Sequence, residues 1–215
     1  EHDFFTTTAG IDLVLSPDQL LGNDWDPDGD PLSITSVSNI YGGTITAPVT
    51  STEVVLGFED EMVRLGHSNS GHSAIASDYG GFNMVAGTKN FSVMNGTEYG
   101  SGNTGYSHGV VSPDAIVFNA YAPKNSFVER ADGEDFDYVG AYWTSAWSNQ
   151  TLTFKGYSDG QVVESTSEIS INTKTPELIE LNWEDIDKLT IKSSGSHWVM
   201  DDFTYSITDT DNNNG

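Results

Sequence analysis

Trp198-Val199-Met200-Asp201-Asp202-Phe203-Thr204-Tyr205-Ser206-Ile207 is the stretch on which the fold turns. It carries aromatic and β-branched residues without Gly or Pro, so it reads as a β-strand. An acidic pair, Asp201-Asp202, interrupts it. Near the other end of the same region Val54-Val55-Leu56 reads as a second strand, and it runs into Gly57-Phe58-Glu59-Asp60. In sandwich folds the first and last strands commonly pair. Glu59, Asp60, Asp201 and Asp202 would then converge on one place, and four carboxylates brought together demand a cation.

Between these ends, short runs of Val, Ile, Thr and aromatic residues recur between clusters of Gly, Asn, Asp and Ser. Strands are predicted over 53–58, 115–120, 136–143, 151–157, 168–172, 178–181, 188–192 and 198–207. No long stretch holds apolar residues at helical spacing. The expected class is all-β, a jelly-roll-like antiparallel β-sandwich over 51–207. A small N-terminal β segment over 1–50 precedes it, with an alternating run at Pro31–Val37, and a polar linker over 208–215 follows. Residues 61 to 112 are Gly-rich with few strand signals, and long loops of this kind are where binding sites sit.

The chain has 215 residues, with 32 Asp and Glu against 8 Lys and Arg, a formal net charge of −24 and a pI near 4.1. Such a charge makes nucleic acid an unfavourable partner. It also sets a physical problem that bound cations would solve, and calcium, which takes hard oxygen ligands, is the expected one. There is no cysteine, so no disulfide can staple the fold. No apolar stretch approaches the roughly 20 residues of a membrane span, and no basic-then-apolar leader is present. The chain opens in mid-strand style at Glu1–Thr8 and stops in the polar run Asp211–Gly215, which reads as boundaries inside a longer polypeptide whose export signals lie elsewhere.

Asp24-Trp25-Asp26-Pro27-Asp28-Gly29-Asp30 alternates carboxylates, with a Gly at the sixth place of the loop. The start of an EF-hand loop is matched, but the twelfth place, which needs a bidentate Glu, is Thr35. Asp24, Asp26, Asp28 and Asp30 remain candidates to share a calcium ion at a junction. Leu21-Gly22-Asn23 through Asp30-Pro31-Leu32 resembles the opening of the cadherin-like and immunoglobulin-like repeats of giant bacterial adhesins. The segment Asp202–Asp209 resembles the close of such a repeat, or else finishes the sandwich. The acidic ends resemble those of meprin-type (MAM) adhesion domains, which differ in carrying cysteines.

Over about 53–205 the chain resembles the ligand-binding and peptide-binding domains of RTX adhesins. The carrying residues are Phe58-Glu59-Asp60, Gly109-Val110-Val111-Ser112-Pro113, Phe136-Asp137-Tyr138 with Ala146-Trp147, Gly156-Tyr157, Ile186-Asp187 and Met200-Asp201-Asp202-Phe203. That resemblance implies a calcium-using, monomeric, extracellular module on a bacterial surface, next to other repeats. Its partners would be peptides or protein C-termini, or alternatively glycans. A spacer merely stiffened by calcium is the third possibility, although a spacer has no need of the 61–112 region.

Catalysis is not expected. Gly105-Tyr106-Ser107-His108-Gly109 matches a nucleophile-elbow pattern, but a Gly-rich loop precedes it where a buried strand is required. The five histidines offer no framework for zinc. Tyr142, Trp143 and Trp147 are candidate ligand contacts, and strand alternation requires that Tyr142 and Trp143 face opposite sides. Asp78 and Tyr106, in the loop region, complete the candidates.

Overall fold

The computed structural model describes residues 5–6, 13, 15, 17–27, 52–65, 71–99 and 103–207. The expected strand at 31–37, the candidate ligands Asp28 and Asp30, and the linker over 208–215 lie outside them. The chain divides into two compact units, Glu1–Pro48 and Val49–Gly215. In the first, the described residues form a short helix, α1 (Pro17–Leu21), with Pro at the first helical position. The Asp24 amide closes the following turn on the Leu21 carbonyl at 3.0 Å. Asp24 is exposed and Asp26 half-buried.

The second unit is an all-β sandwich. In chain order it has β1 (Thr52–Leu56), α2 (Glu59–Arg64), β2 (His72–Ala74), β3 (Phe82–Ala86), β4 (Lys89–Asn90), β5 (Ser92–Asn95), α3 (Gly105–His108), β6 (Ala115–Phe118), β7 (Asn125–Arg130), β8 (Phe136–Ser145), β9 (Gln150–Ser158), β10 (Gln161–Ser165), β11 (Ile169–Ile171), β12 (Glu177–Ile186), β13 (Lys188–Ser193) and β14 (Trp198–Ile207). Sheet A runs β12-β8-β14-β6-β5-β2, with β1 also on β14; sheet B runs β10-β9-β13-β7-β3-β4, with β11 also on β9. All pairings are antiparallel.

The last strand lies where the sequence puts it, and β1 pairs with it from Thr52↔Ile207 to Leu56↔Phe203. The 61–112 region departs from expectation, because it contains β2 to β5. These strands are two to five residues long and separated by a Gly80-Gly81 turn, a Gly87-Thr88 turn and the single residue Phe91, so alternation is visible only in Phe82, Met84 and Ala86, which enter the core.

The main core lies between the sheets. Phe82 meets Phe136, Phe203 and Tyr205 edge-on, and Trp143 meets Trp198 with centroids 5.1 Å apart. Each such pair contributes about 0.5–1.5 kcal/mol beyond the area buried. A second, smaller core sits on the outer face of sheet A. Along β14, Trp198 and Met200 point inward while Val199 points out; Val117 and Ile116 on β6, and Val93 and Met94 on β5, divide in the same way. The segment joining β5 to β6 folds over this outer patch and contributes Tyr99, Tyr106 and Val110. Gly105 makes the closest approach, since a Cβ there would collide with the backbone carbonyl of Ser145.

Candidate functional site

Continuing the alternation of β14, Asp201 falls on the outer face with Val199. The pairing of β14 with β8 then slips between Asp201↔Tyr142 and Thr204↔Gly140. Asp202, with φ 50°, lies in the bulge, which returns Phe203 to the core while crowding two carboxylates together. On the neighbouring strand the chain leaves β1 through Gly57 and Phe58. Phe58 holds a left-handed φ of 73° and is buried against Tyr79. This strained pivot swings Glu59 back over the end of β1. A side chain on Gly57 would run into the Glu59 carboxylate and the Ser112 hydroxyl.

Three side chains meet here. The Ser112 hydroxyl lies 3.1 Å from Glu59 Oε1 and 3.1 Å from Asp201 Oδ1. Asp201 Oδ2 accepts the amides of Val111, at 2.7 Å, and Ser112, at 3.1 Å. Its Oδ1 accepts the Asp202 amide at 2.8 Å. Asp201 is 0% exposed. Burial pushes its carboxyl up to about 7, the charge of Asp202 pushes the same way, and the three amides oppose them. Glu59 is likewise raised by burial and then by Asp202, against its own amide, the Ser112 hydroxyl and the Ala115 amide.

A hydroxyl has one hydrogen. It can satisfy Glu59 or Asp201, and the other oxygen then faces a lone pair across the same distance. A proton shared between the two carboxyls, or a cation, would resolve this. Two residues away, Glu61 shows the opposite arrangement. It is buried too, but Arg64 donates to it from Nε at 2.6 Å and from Nη2 at 2.7 Å, and the Ala76 amide at 2.7 Å. Its carboxyl is therefore held below the ordinary value, chiefly by Arg64. Among the described residues no Lys or Arg pairs with Glu59, Asp201 or Asp202. Nor do three acidic or His side chains among them form a ready-made metal cluster.

The remaining candidates separate. Asp60 turns away and accepts the Tyr79 hydroxyl at 2.6 Å. Asp78 is exposed on the turn before Tyr79. Tyr142 is half-buried on the outer face opposite Asp201. Two expectations need correction. Trp143, 0% exposed, is a core residue packed on Phe154 and Trp198. Tyr106, 3% exposed, is sealed in the second core. Neither can touch a ligand, because alternation takes Trp143 inward and the covering segment buries Tyr106.

Trp147 is 53% exposed and stands edge-on to Tyr106 and Tyr99. His197 completes this rim. Its Nδ1 faces the Tyr106 hydroxyl at 2.5 Å and the Trp147 indole N–H at 3.3 Å, and Phe118 packs against its ring. Two donors on Nδ1 fit a neutral ring, in keeping with a value lowered by burial and then by His72. Ser107 is a helix-capping residue: its hydroxyl donates to the Thr104 carbonyl at 2.9 Å and accepts the Thr104 amide at 3.2 Å.

Sequence reasoning missed Ser112 and His197 as site residues. Gly109–Pro113 marked the neighbourhood of the first, and nothing local marks the second.

No protein-family model matches the chain, and the curated proteins contain no match to it. Among solved structures, the carbohydrate-binding module TmCBM61 in complex with β-1,4-galactotriose is similar at a TM-score of 0.31 and 13% identity, over 71% of this chain and 98% of that one.

Proposed function

We propose that the chain is a non-catalytic, calcium-dependent ligand-binding module of a bacterial surface adhesin. The observation that carries the calcium reading is the single Ser112 hydroxyl between Glu59 and Asp201, with Asp202 beside them and, among the described residues, no cationic side chain to relieve them. The donors are all hard oxygens, which is the calcium preference. Glu59, Asp201 and Asp202 would hold the ion, with Ser112 and water filling the remaining positions. A divalent cation held there by Glu59, Asp201 and Asp202 would supply charge neutralisation.

The adhesin context rests on the sequence resemblance. Ligand contact is assigned to the rim at Trp147, where a large aromatic surface stays open beside hydrogen-bonding groups. Peptide is the first ligand class on the same resemblance; glycan is the alternative, since an exposed indole also stacks on sugar rings.

Calorimetric titration of calcium into the wild type, Glu59→Gln, Asp202→Asn and the double variant tests the shared site. Each single variant is expected to weaken calcium binding, and the double should lose less than the sum, because residues serving one ion act as a unit. Melting in chelator should fall well below melting in excess calcium, by about 2.7 kcal/mol of stability per site at a hundredfold excess over Kd. If chelator shifts the melt no more than sodium chloride of equal ionic strength, calcium is excluded.

A further inference from the structure

The outer face of sheet B carries a charge pattern opposite to that of the whole chain. Alternation takes Leu152, Phe154, Leu189 and Ile191 into the core. It leaves Thr153 and Thr190 half-buried, and Lys155 and Lys192 exposed, on the outside. Strand pairing sets these outward residues in rows: Glu129, Lys188 and Tyr157; then Phe127, Thr190 and Lys155; then Asn125, Lys192 and Thr153. Each row holds one lysine, and successive rows are about 7 Å apart along the strands. Lys124 lies at the last row's end, donating to the carbonyls of Ser194 and Gly195.

In a chain with 32 Asp and Glu for 8 Lys and Arg, basic side chains should find carboxylates easily. Lys188 does, in Glu129 at 2.5 Å. Lys155 and Lys192 form no ion pair among the described residues. A pair of diagonal ammoniums, flanked by hydroxyls and left without carboxylates, is what an external anion would complete.

We propose that this face, along Lys155 and Lys192, beside the Lys188–Glu129 pair, binds an acidic polysaccharide. A sheet face offers no backbone donors, so an acidic peptide could not add as a strand here. Thr153, Thr190 and Asn125 suit sugar hydroxyls, while the lysines meet carboxylate or sulfate groups at intervals along an extended chain. The negative charge elsewhere opposes approach, but at physiological salt it is screened beyond about 8 Å, whereas contact pairs persist. Affinity should accordingly rise from very low salt to about 0.15 M and fall again above it. None of these residues touches the Ser112 cluster, so the inference goes beyond the calcium reading and stands apart from it.

The test is affinity electrophoresis and calorimetry at 0.15 M sodium chloride, with calcium and with chelator. The probes are short oligogalacturonate, dextran sulfate, neutral dextran and polyglutamate. Binding to at least one acidic sugar, and not to dextran or polyglutamate, is expected; which one separates carboxylate from sulfate recognition. Lys155→Ala with Lys192→Ala should weaken it about tenfold, the sum of two exposed pairs. Glu59→Gln should leave it unchanged even where calcium binding is lost. Equal binding of dextran or polyglutamate, no retention by either acidic sugar, or an unaltered affinity in the lysine variant overturns the proposal.

Discussion

On the outer face of sheet A, Val199, Ile116 and Met94 are fully buried beneath the segment joining β5 to β6. On the outer face of sheet B, the corresponding outward positions are Lys155, Thr190 and Lys192, and they face water. Both faces come from the same two-residue alternation. What separates them is what the chain lays on top. Sheet A has become an inner layer, with aromatic residues at one end of its cover and uncompensated carboxylates at the other. Sheet B remains a surface. Disturbing the cover of sheet A should therefore cost stability and cation affinity, while disturbing sheet B should cost neither.

The largest effect should come from Gly105→Ala. The collision is with the backbone oxygen of Ser145, which cannot rotate away, so the covering segment must lift. A loss of about 3 kcal/mol is expected, at the upper end of overpacking costs. Hydrogen exchange should show the loosening at Tyr106 to Ser112 before the sheets. A loss below about 0.5 kcal/mol would mean that the cover is a surface loop and that the two faces do not differ in kind.

That cover is also where sequence and structure part company. The ends of β14 and the pairing of β1 with it were legible, since ten residues without Gly or Pro leave little choice. The opposite orientations of Tyr142 and Trp143 were legible too, but not which of them faces inward, because alternation gives a period without a phase. The phase comes from Trp198 and Phe154, which surround Trp143 and are distant in sequence. Strands β2 to β5 were hidden because a strand of two to five residues contains too few alternations to register. Ser112 was invisible as a site residue for a related reason: its partners lie 53 and 89 residues away. The acidic pairs at the two ends were visible because one lies within β14 and the other follows directly on its partner β1, at the start of α2.

Glu59→Gln should come next in size, and its sign depends on the cation. Without metal the glutamine amide can donate to Ser112 Oγ, freeing the single hydroxyl hydrogen for Asp201. The conflict at the site then disappears, and the variant should be as stable as the wild type or more stable by about 1 kcal/mol, the worth of one hydrogen bond. In saturating calcium the order should reverse, because the wild type alone gains fully from the ion. Paired thermal melts in chelator and in calcium measure both. A variant less stable than the wild type in chelator would show that the Glu59 charge is already compensated.

On sheet B, Lys155→Ala and Lys192→Ala should each change stability by no more than about 0.5 kcal/mol, as exposed positions without partners do. Chemical denaturation of each variant provides the comparison. A loss above about 1 kcal/mol in either would show that this face is held together by its charges and is not simply presented to solvent.

The smallest signal should be a slope. Burial and the nearby His72 keep His197 below its ordinary value, and its Nδ1 accepts from Tyr106 and Trp147. Protonation at Nδ1 would turn that acceptor into a donor facing two donors. Below about pH 6.5 the unfolded chain therefore takes up a proton that the folded chain resists, and stability falls as the pH falls. Above that range the contribution is fully present. Carboxylates titrate over part of the same interval, so the absolute slope says little. The difference between the wild type and His197→Gln isolates the ring, since glutamine can still accept from Tyr106 but does not titrate. That difference should be constant from pH 8 to pH 7 and should shift in favour of the variant from pH 6.5 to pH 5. The rim is half open to water, so the shift should be smaller than either effect on the covered face. Denaturant unfolding at steps across this interval measures it. A shift in favour of the wild type would mean that folded His197 carries the proton, with Tyr106 accepting rather than donating, and the rim beside Trp147 would then be a cationic site.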